Sequence, residues 1–287
     1  MDLPETSFWA RRLFPGAARI AVRRAVLPGR RRRKARPGIP VKVAEFSLYD
    51  VPIDDDAVPD VVDAGEARFA VAADVGGDWR DDGPDGGRDG GHGGTADDAP
   101  RREIAAMTVN FGRVDLNLRT PGGDDVRVEM FLVAYPDSLA TRYGGDGDDS
   151  GIARAVAGAA ALVADDQEAA RPTPGSVIPE AVRIGMGADF DASRSTTPHL
   201  LCVAPYVWPD GVPTITEEPG KISVHGDADG FPDRVTGRSR LTTVTQLVPI
   251  TEEEYAHADA HGVESLMQLL ADVDADLRDL RRASVAR

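Results

Sequence analysis

The sequence has a single cysteine, Cys202, among its 287 residues, so it cannot form an internal disulfide. A secreted scaffold stabilised by disulfides is therefore excluded, and the composition favours a reducing compartment; we predict a cytoplasmic location. Cys202 lies in the apolar run 200–204, which predicts a buried structural thiol rather than a reactive one. No stretch approaches the ~20 apolar residues that a transmembrane helix needs, so we expect no membrane span.

Basic side chains are scarce outside the N-terminal region. Residues 1–42 carry twelve Lys and Arg against Asp2 and Glu5, whereas the other 245 residues carry 21 basic and 46 acidic side chains. The body of the chain therefore has a net charge of about −25, which disfavours nucleic acid and favours a basic protein partner through long-range attraction. The alternative is that the acidity serves solubility alone.

Familiar catalytic motifs are missing: there is no Gly-x-Ser-x-Gly and no Walker loop. Residues 146–151 fit the first half of a calcium loop, but Ala157 stands where a bidentate Glu is required. His257 and His261 are spaced as half of a zinc site, yet no Glu lies between them. We predict no catalytic site, metal or cofactor; the alternative function is a hydrolase or metal-dependent enzyme that uses His199, His257 and His261.

Composition divides the chain into four segments. Residues 1–41 are predicted to be a disordered basic tail, with contact to nucleic acid or an anionic membrane surface as the functional alternatives. Residues 42–76 contain two apolar runs that could be strands, with no indication of whether they join a main sheet. Residues 77–101 are rich in Gly and Asp and cannot offset their ordering entropy, so we predict a disordered linker. Residues 102–285 form the predicted folded domain.

The folded domain alternates strand-like and helix-like patterns. The fold class that this alternation predicts is α/β (α+β), with a central mixed β-sheet flanked by helices. The predicted elements are a strand at 104–119 with a bulge at Gly112, a hairpin partner at 126–133, a helix at 152–164, a strand at 182–186 and a strand within 197–208.

The clearest local signals lie near the C-terminus. A β-branched run ends with Pro249, which cannot donate to a ladder, and this predicts a strand that closes at a sheet edge. Thr251 and Glu254 have the spacing of a capping box, so a helix is expected to begin there. Gly262 predicts the end of that helix, and a second helix with an apolar face is expected to extend to Leu280.

Three sequence blocks carry a resemblance to a known family. The first is QLVPITEEEYAHADAHGVESLMQLL with the tail LRRAS after it, the second is TPHLLCVAPYVW at 197–208, and the third is PGSVI at 174–178. Together and in this order they resemble the bacterial branch of the suppressor of fused (SUFU) domain family. The resemblance covers roughly residues 102–285.

The resemblance implies a non-enzymatic protein-binding module. Bacterial SUFU-like proteins are regarded as immunity or antitoxin-type proteins that bind and neutralise a toxin, so the expected partner is a protein, such as a basic toxin domain. Trp208 closes an apolar run, and we expect it to be largely buried. The positions that match the family's motifs, with a structural or binding role, are Pro174, Gly175, Pro198, His199, Trp208, Pro249, Thr251, Glu254 and Gly262.

Overall fold

A computed structural model describes residues 3–14, 18–24, 40–48, 103–135, 151–166, 170–193, 195–208, 211–222, 235 and 237–286. Within these residues the chain forms five α-helices and nine strands, and all of the strands belong to one mixed sheet. The helices are α1 (Leu3–Leu13), α2 (Gly151–Asp165), α3 (Ala181–Met186), α4 (Glu252–His261) and α5 (Val263–Asp272). The strands are β1 (Ala18–Arg24), β2 (Pro40–Ser47), β3 (Ile104–Thr108), β4 (Leu118–Arg119), β5 (Asp125–Ala134), β6 (Val177–Ile178), β7 (His199–Val203), β8 (Thr214–Glu217) and β9 (Arg240–Ile250).

The strand order confirms the predicted central mixed sheet. It runs β1-β2-β3-β5-β9-β7-β6, with β4 paired to β5 and β8 paired to β9. The pairing of β5 with β9 is parallel, and the other pairings are antiparallel. β9 is therefore a central strand, which corrects the prediction of a sheet edge. Pro249 is tolerated because β5 pairs with β9 only as far as Gln246, so no ladder bond on that side needs the missing N–H.

One face of the sheet is covered by α2 and α3. The composition of α2 explains this, because its small side chains allow close approach and eleven of its residues are buried. α2 packs against Val43, Val128, Met130 and Leu132 of the sheet in the main apolar core. The predicted helix at 152–164 is thus confirmed as a buried element.

The contact between α2 and α3 is close enough to require glycine on both helices. A Cβ at Gly158 would lie 2.2 Å from the Ala181 carbonyl oxygen, and one at Gly185 would lie 2.0 Å from the Arg154 carbonyl oxygen. Both obstacles are backbone atoms, which cannot move aside without separating the helices. Arg154 also donates through Nη1 to Asp189 at 2.7 Å, which ties the same two layers together.

We expect Gly158→Ala and Gly185→Ala each to lower the free energy of unfolding by about 3 kcal/mol, because the added methyl group must push two backbones apart. Gly122→Ala is the matched control, since its Cβ would meet only side-chain atoms at 3.6 and 3.7 Å. Its cost should stay within about 0.5 kcal/mol. Urea unfolding of the three variants measures the difference, and equal midpoints would contradict the close packing.

The opposite face of the sheet is covered by α1. Thr6, Trp9, Ala10 and Leu13 are buried at helical spacing, and Phe14 follows them inward. The Phe14 ring lies 5.4 Å from that of Phe46 and 5.3 Å from that of Phe131, measured between centroids. The disordered tail predicted at 1–41 is therefore corrected for residues 3–14 and 18–24, which form α1 and β1, because the apolar face of α1 fills a second core that the basic composition concealed.

The segment 42–76 also contributes to the sheet. β2 pairs with β3 from Val43 opposite Thr108 to Ser47 opposite Ile104, and it pairs with β1 on its other side. Val43 and Phe46 are fully buried. The second apolar run of this segment, the linker predicted at 77–101 and most of the calcium-like loop at 146–151 lie outside the described residues.

Three local predictions are corrected. Residues 181–186 form a helix instead of a strand, because Val182 and Met186 at helical spacing both face the core. The predicted strand at 104–119 is interrupted by a 3-10 turn at Phe111–Arg113, where a buried carboxylate described below binds the backbone. The last helix ends at Asp272 instead of continuing to Leu280, and Leu280 is buried in the main core.

α4 and α5 form a third layer against β7 and β9. Leu266 and Leu270 pack with Leu201, Val248 and Ile250 in a separate apolar cluster. No helix among the described residues is long and apolar enough to cross a bilayer. The layer brings the C-terminal part of the chain over the junction between β9 and α4, where most of the motif positions lie.

Candidate functional site

Five of the nine motif positions meet at one end of the sheet. His199 begins β7 and is paired with Ile250, the last residue of β9, so the two family blocks are adjacent. The remaining positions are on separate elements. The five that meet are Pro198, His199, Pro249, Thr251 and Glu254.

The capping box of α4 is present as predicted. The Thr251 hydroxyl accepts the backbone N–H of Glu254 at 3.2 Å, and the Glu254 carboxylate accepts the backbone N–H of Thr251 at 3.0 Å. Both residues are buried, and Glu254 has no exposed surface. A capping box normally lies at the protein surface, so this buried carboxylate needs a compensating charge.

Arg282 supplies that charge. Its Nη1 and Nη2 donate to the two carboxylate oxygens of Glu254 at 2.5 and 2.6 Å, and Nη2 also donates to the Pro249 carbonyl at 3.0 Å. The backbone N–H of Val285 donates to Glu254 at 3.0 Å. We call Pro249, Thr251, Glu254 and Arg282 the α4 cap cluster. It fastens the C-terminal segment to the start of α4.

In the sequence, Arg282 belongs to the family's tail motif and shows no link to Glu254. No local spacing rule connects residues 28 positions apart. The tail is fastened again at Leu280, whose carbonyl accepts the backbone N–H of Thr196 at 3.1 Å and the hydroxyl of Thr197 at 3.0 Å. The tail of the first block is thus joined directly to Thr196 and Thr197 at the start of the second block.

His199 is the centre of a second group next to the α4 cap cluster. Its Nδ1 accepts the backbone N–H of Glu180 at 2.9 Å, so the neutral ring carries its proton on Nε2. Nε2 lies 2.9 Å from the Glu252 carboxylate and donates to it. The Tyr255 ring lies 4.6 Å from the imidazole, measured between centroids. His199 itself is buried, whereas Glu252 is two-thirds exposed.

Glu180, His199 and Glu252 are, in the part of the chain that is described, the one group whose ligand atoms are close enough to hold a metal ion, all within 4.8 Å. The hydrogen bonds of the ring do not suit a metal. A histidine that binds a metal usually donates its other ring N–H to an acceptor. Here the other nitrogen faces the N–H of Glu180, so metal binding at Nε2 would place two donors against each other.

The two helix histidines do not join His199 in a shared group. The His257 and His261 rings contact each other at 4.6 Å between centroids, tilted by 51°, and His257 Nε2 lies 2.9 Å from the Ser265 hydroxyl. The three histidines of the alternative enzyme prediction therefore belong to two separate arrangements. One is a buried link between β7 and α4, and the other lies at the junction of α4 and α5.

The other motif positions form turns and an aromatic contact. Gly175 has φ +88, and its N–H donates to the Cys202 carbonyl at 2.9 Å in the turn that begins at Pro174. Gly262 has φ +88 between the two helices, as predicted, because a side chain is strained there. Trp208 is partly buried and packs on Phe14 and Phe131, which is consistent with the expectation that it is largely buried.

Cys202 and Glu129 are buried titratable groups away from these clusters. Burial raises the pKa of the Cys202 thiol to about 12, which agrees with the predicted structural role. Glu129 accepts the backbone N–H groups of Phe111 at 3.1 Å and Gly112 at 2.8 Å, and also the Thr108 hydroxyl. Burial raises the pKa of Glu129 to about 7, while these three hydrogen bonds act in the opposite direction.

The raised pKa of Glu129 predicts a pH-dependent stability. The folded state binds a proton more tightly than the unfolded state, whose carboxyl has a pKa near 4.5. The stabilisation is therefore complete below pH 4.5 and is lost as the pH rises through about 7. Melting temperatures of the wild type and Glu129→Gln at pH 5 and pH 8 test this. We expect the wild type to lose more stability than the variant over this interval, and parallel changes would contradict the assignment to Glu129.

Comparisons with known proteins give one matching family model and several similar solved structures. The sequence model of the family described as suppressor of fused protein (SUFU) matches residues 100–283. No curated protein matches the chain. The similar solved structures include a SUFU homologue from Neisseria gonorrhoeae FA 1090, at 12% identity and a TM-score of 0.43, with 99% of this chain and 95% of that chain covered.

Two further similar structures are a Sufu–Fu complex and Drosophila Suppressor of Fused. The Sufu–Fu complex is similar at 10% identity and a TM-score of 0.39, with 64% of this chain and 70% of that chain covered. Drosophila Suppressor of Fused is similar at 12% identity and a TM-score of 0.38, with 64% of this chain and 39% of that chain covered.

Proposed function

The chain belongs to the suppressor of fused protein family over residues 100–283, and from this premise we propose that it is a non-enzymatic module that binds and neutralises a partner protein. The role is of the immunity or antitoxin type that the bacterial branch of the family implies. The partner is a basic toxin domain, and the binding is stoichiometric and takes place in the cytoplasm.

The non-enzymatic part of the proposal is supported by the hydrogen bonds that occupy the buried polar groups at the motif positions. Both nitrogens of His199 have partners, and the Glu254 carboxylate accepts four hydrogen bonds from within the chain. A general base must reach a substrate proton with a free lone pair. The hydrogen bonds of these groups instead join β7, β9, α4 and the C-terminal segment.

The charge of the chain supports a basic partner. Residues 43–287 carry 46 acidic against 21 basic side chains. From residue 251 to residue 277, which includes α4 and α5, there is no Lys or Arg at all. The negative charge of residues 43–287 raises the rate of association with a cationic protein, and the association weakens as the salt concentration rises.

Affinity capture from the native host tests the proposal. We expect a basic protein at a ratio near one to one, released by high salt, whose toxicity is suppressed when the two are co-expressed. Calorimetry of the purified pair gives the stoichiometry. Turnover of a small substrate by the purified chain, without recovery of a protein, would refute the proposal.

The second candidate function is a metal-dependent hydrolase, and the observation that favours it is the group Glu180, His199 and Glu252. Calorimetric titration with Zn²⁺ discriminates the two. Glu252→Gln should abolish zinc binding if the group is a metal site, and Glu253→Gln, the neighbouring exposed residue, is the matched control. We expect the wild type and both variants to give the same weak heats.

A further inference from the structure

α4 carries two histidines whose rings contact each other near its C-terminal end. His257 and His261 are four residues apart, so they lie on one face of the helix. Their ring centroids are 4.6 Å apart, and the rings are tilted by 51°. His261 is exposed and His257 is partly buried, so both rings are open to a ligand from the solvent. The function proposed above uses neither of them.

The separation of the two rings matches that of two imidazoles bound to one metal ion. A metal–nitrogen bond of about 2.0 Å places the ion about 3.2 Å from the centre of each ring. The ring centres are then about 4.5 Å apart when the two nitrogens subtend about 90° at the ion, and about 5.2 Å apart at the tetrahedral angle of about 109°. The observed 4.6 Å corresponds to the first geometry, which square-planar and octahedral ions adopt.

The second nitrogen of His257 has the partner that a metal-binding histidine requires. Its Nε2 lies 2.9 Å from the Ser265 hydroxyl, whose oxygen can accept the N–H of the ring. Ligating histidines usually donate their other ring N–H in this way, which fixes the tautomer and leaves Nδ1 with its lone pair for the metal. His199 does not meet this requirement, because its second nitrogen accepts an N–H from Glu180.

The charge around the pair favours a cation. No Lys or Arg occurs from residue 251 to residue 277, whereas Glu253, Asp259 and Glu264 are exposed on α4 and at the start of α5. His261 is also the last residue of α4, where the carbonyl groups at the helix end carry partial negative charge. A divalent ion at the pair is therefore attracted by its surroundings and meets no basic side chain of this segment.

We propose that His257, through Nδ1, and His261 form a binding site for a divalent transition-metal ion of the Cu²⁺ or Ni²⁺ type. These two ions share a preference for nitrogen ligands at about 90°. Within the described part of the chain no third His, Cys, Asp or Glu completes a three-ligand group with the pair, so water fills the other positions of the ion. The site goes beyond the partner-binding function proposed above and does not depend on it.

The lack of a Glu between the two histidines does not argue against this site. In the motif His-Glu-x-x-His that Glu is the general base of a metalloprotease, and the histidines bind the metal. Binding without hydrolysis therefore needs only the histidine pair. Because Ser265 belongs to α5, an ion at His257 also ties α4 to the start of α5.

Titration of the metal-free full chain with CuCl₂ and with NiCl₂ at neutral pH tests the proposal. We expect calorimetry to show one equivalent of either ion bound, and the electron paramagnetic resonance spectrum of the Cu²⁺ complex to show coupling to two imidazole nitrogens. His261→Gln should weaken binding at least about 100-fold, because loss of one ligand removes the chelate. Ser265→Ala should weaken it about tenfold, because the second nitrogen of His257 loses its acceptor.

The matched control is His92→Gln/His225→Gln, which also removes histidines but none of the pair. It should bind both ions as the wild type does, and His261→Gln should melt at the wild-type temperature without metal because its changed residue is exposed. Binding that His261→Gln retains would overturn the proposal, as would a wild type that binds neither ion or a control that loses them. Unchanged affinity in Ser265→Ala would overturn the assignment of Nδ1 as the ligand atom of His257.

Discussion

A protein truncated to residues 102–287 is expected to lose cooperative thermal melting. The deletion removes five large buried side chains, Trp9, Leu13, Phe14, Val43 and Phe46. Burial of such side chains is worth about 1.5–3 kcal/mol each, so the loss is on the order of 10 kcal/mol. That equals the whole stability of a typical domain, roughly 5–15 kcal/mol. The deletion also removes the ladder partner of β3 and exposes Phe131 on the uncovered sheet face.

The matched control is an internal deletion of residues 77–101. The N–H of Leu48 donates to the Glu103 carbonyl at 3.2 Å, so the ends of the intervening segment lie side by side and a shorter connection can join them. This variant should melt like the full chain in differential scanning calorimetry. If the 102–287 protein also melted at the full-chain temperature, residues 102–285 would fold alone, as the segment boundaries in the sequence suggested.

Arg282→Ala is expected to lower the free energy of unfolding by about 3–5 kcal/mol. The change leaves the fully buried Glu254 carboxylate without its charged partner, and removal of one member of a buried ion pair costs about that much. It also leaves the Pro249 carbonyl without its donor. Guanidinium unfolding measures the loss.

Two variants isolate the cause. Arg281→Ala removes the neighbouring arginine, whose ion pair with Asp279 is long, at 3.9 Å, and lies at the surface; it should change stability by less than about 0.5 kcal/mol. Glu254→Gln/Arg282→Met should lose less stability than Arg282→Ala, since the glutamine can still cap the helix without a buried charge. Equal losses in both would show that the uncompensated charge of Glu254 is not the cause, and that the hydrogen bond from Arg282 to the Pro249 carbonyl stabilises the C-terminal segment instead.

Structural features that depend on a few neighbouring residues were predicted from the sequence. The capping box at Thr251, the break at Gly262 and the helix of small residues at 152–164 all depend on neighbours within one or two turns. The order of the three family blocks likewise predicted the family, and the alternation of strand-like and helix-like patterns predicted the mixed sheet. Propensity, capping and turn chemistry are properties of short segments, so they can be recognised without knowledge of the rest of the chain.

The features that depend on contacts between residues far apart in the chain were decided only by the tertiary structure. Residues 181–186 alternate as a strand would, but the close packing of Gly185 on α2 makes them a helix. α1 is ordered by Phe46 and Phe131, and Glu254 is neutralised by Arg282, through contacts that no local pattern encodes. These outcomes depend on burial and charge pairing between residues far apart in the chain. Burial is a property of the assembled layers, whereas the sequence by itself determined only the elements from which those layers are built.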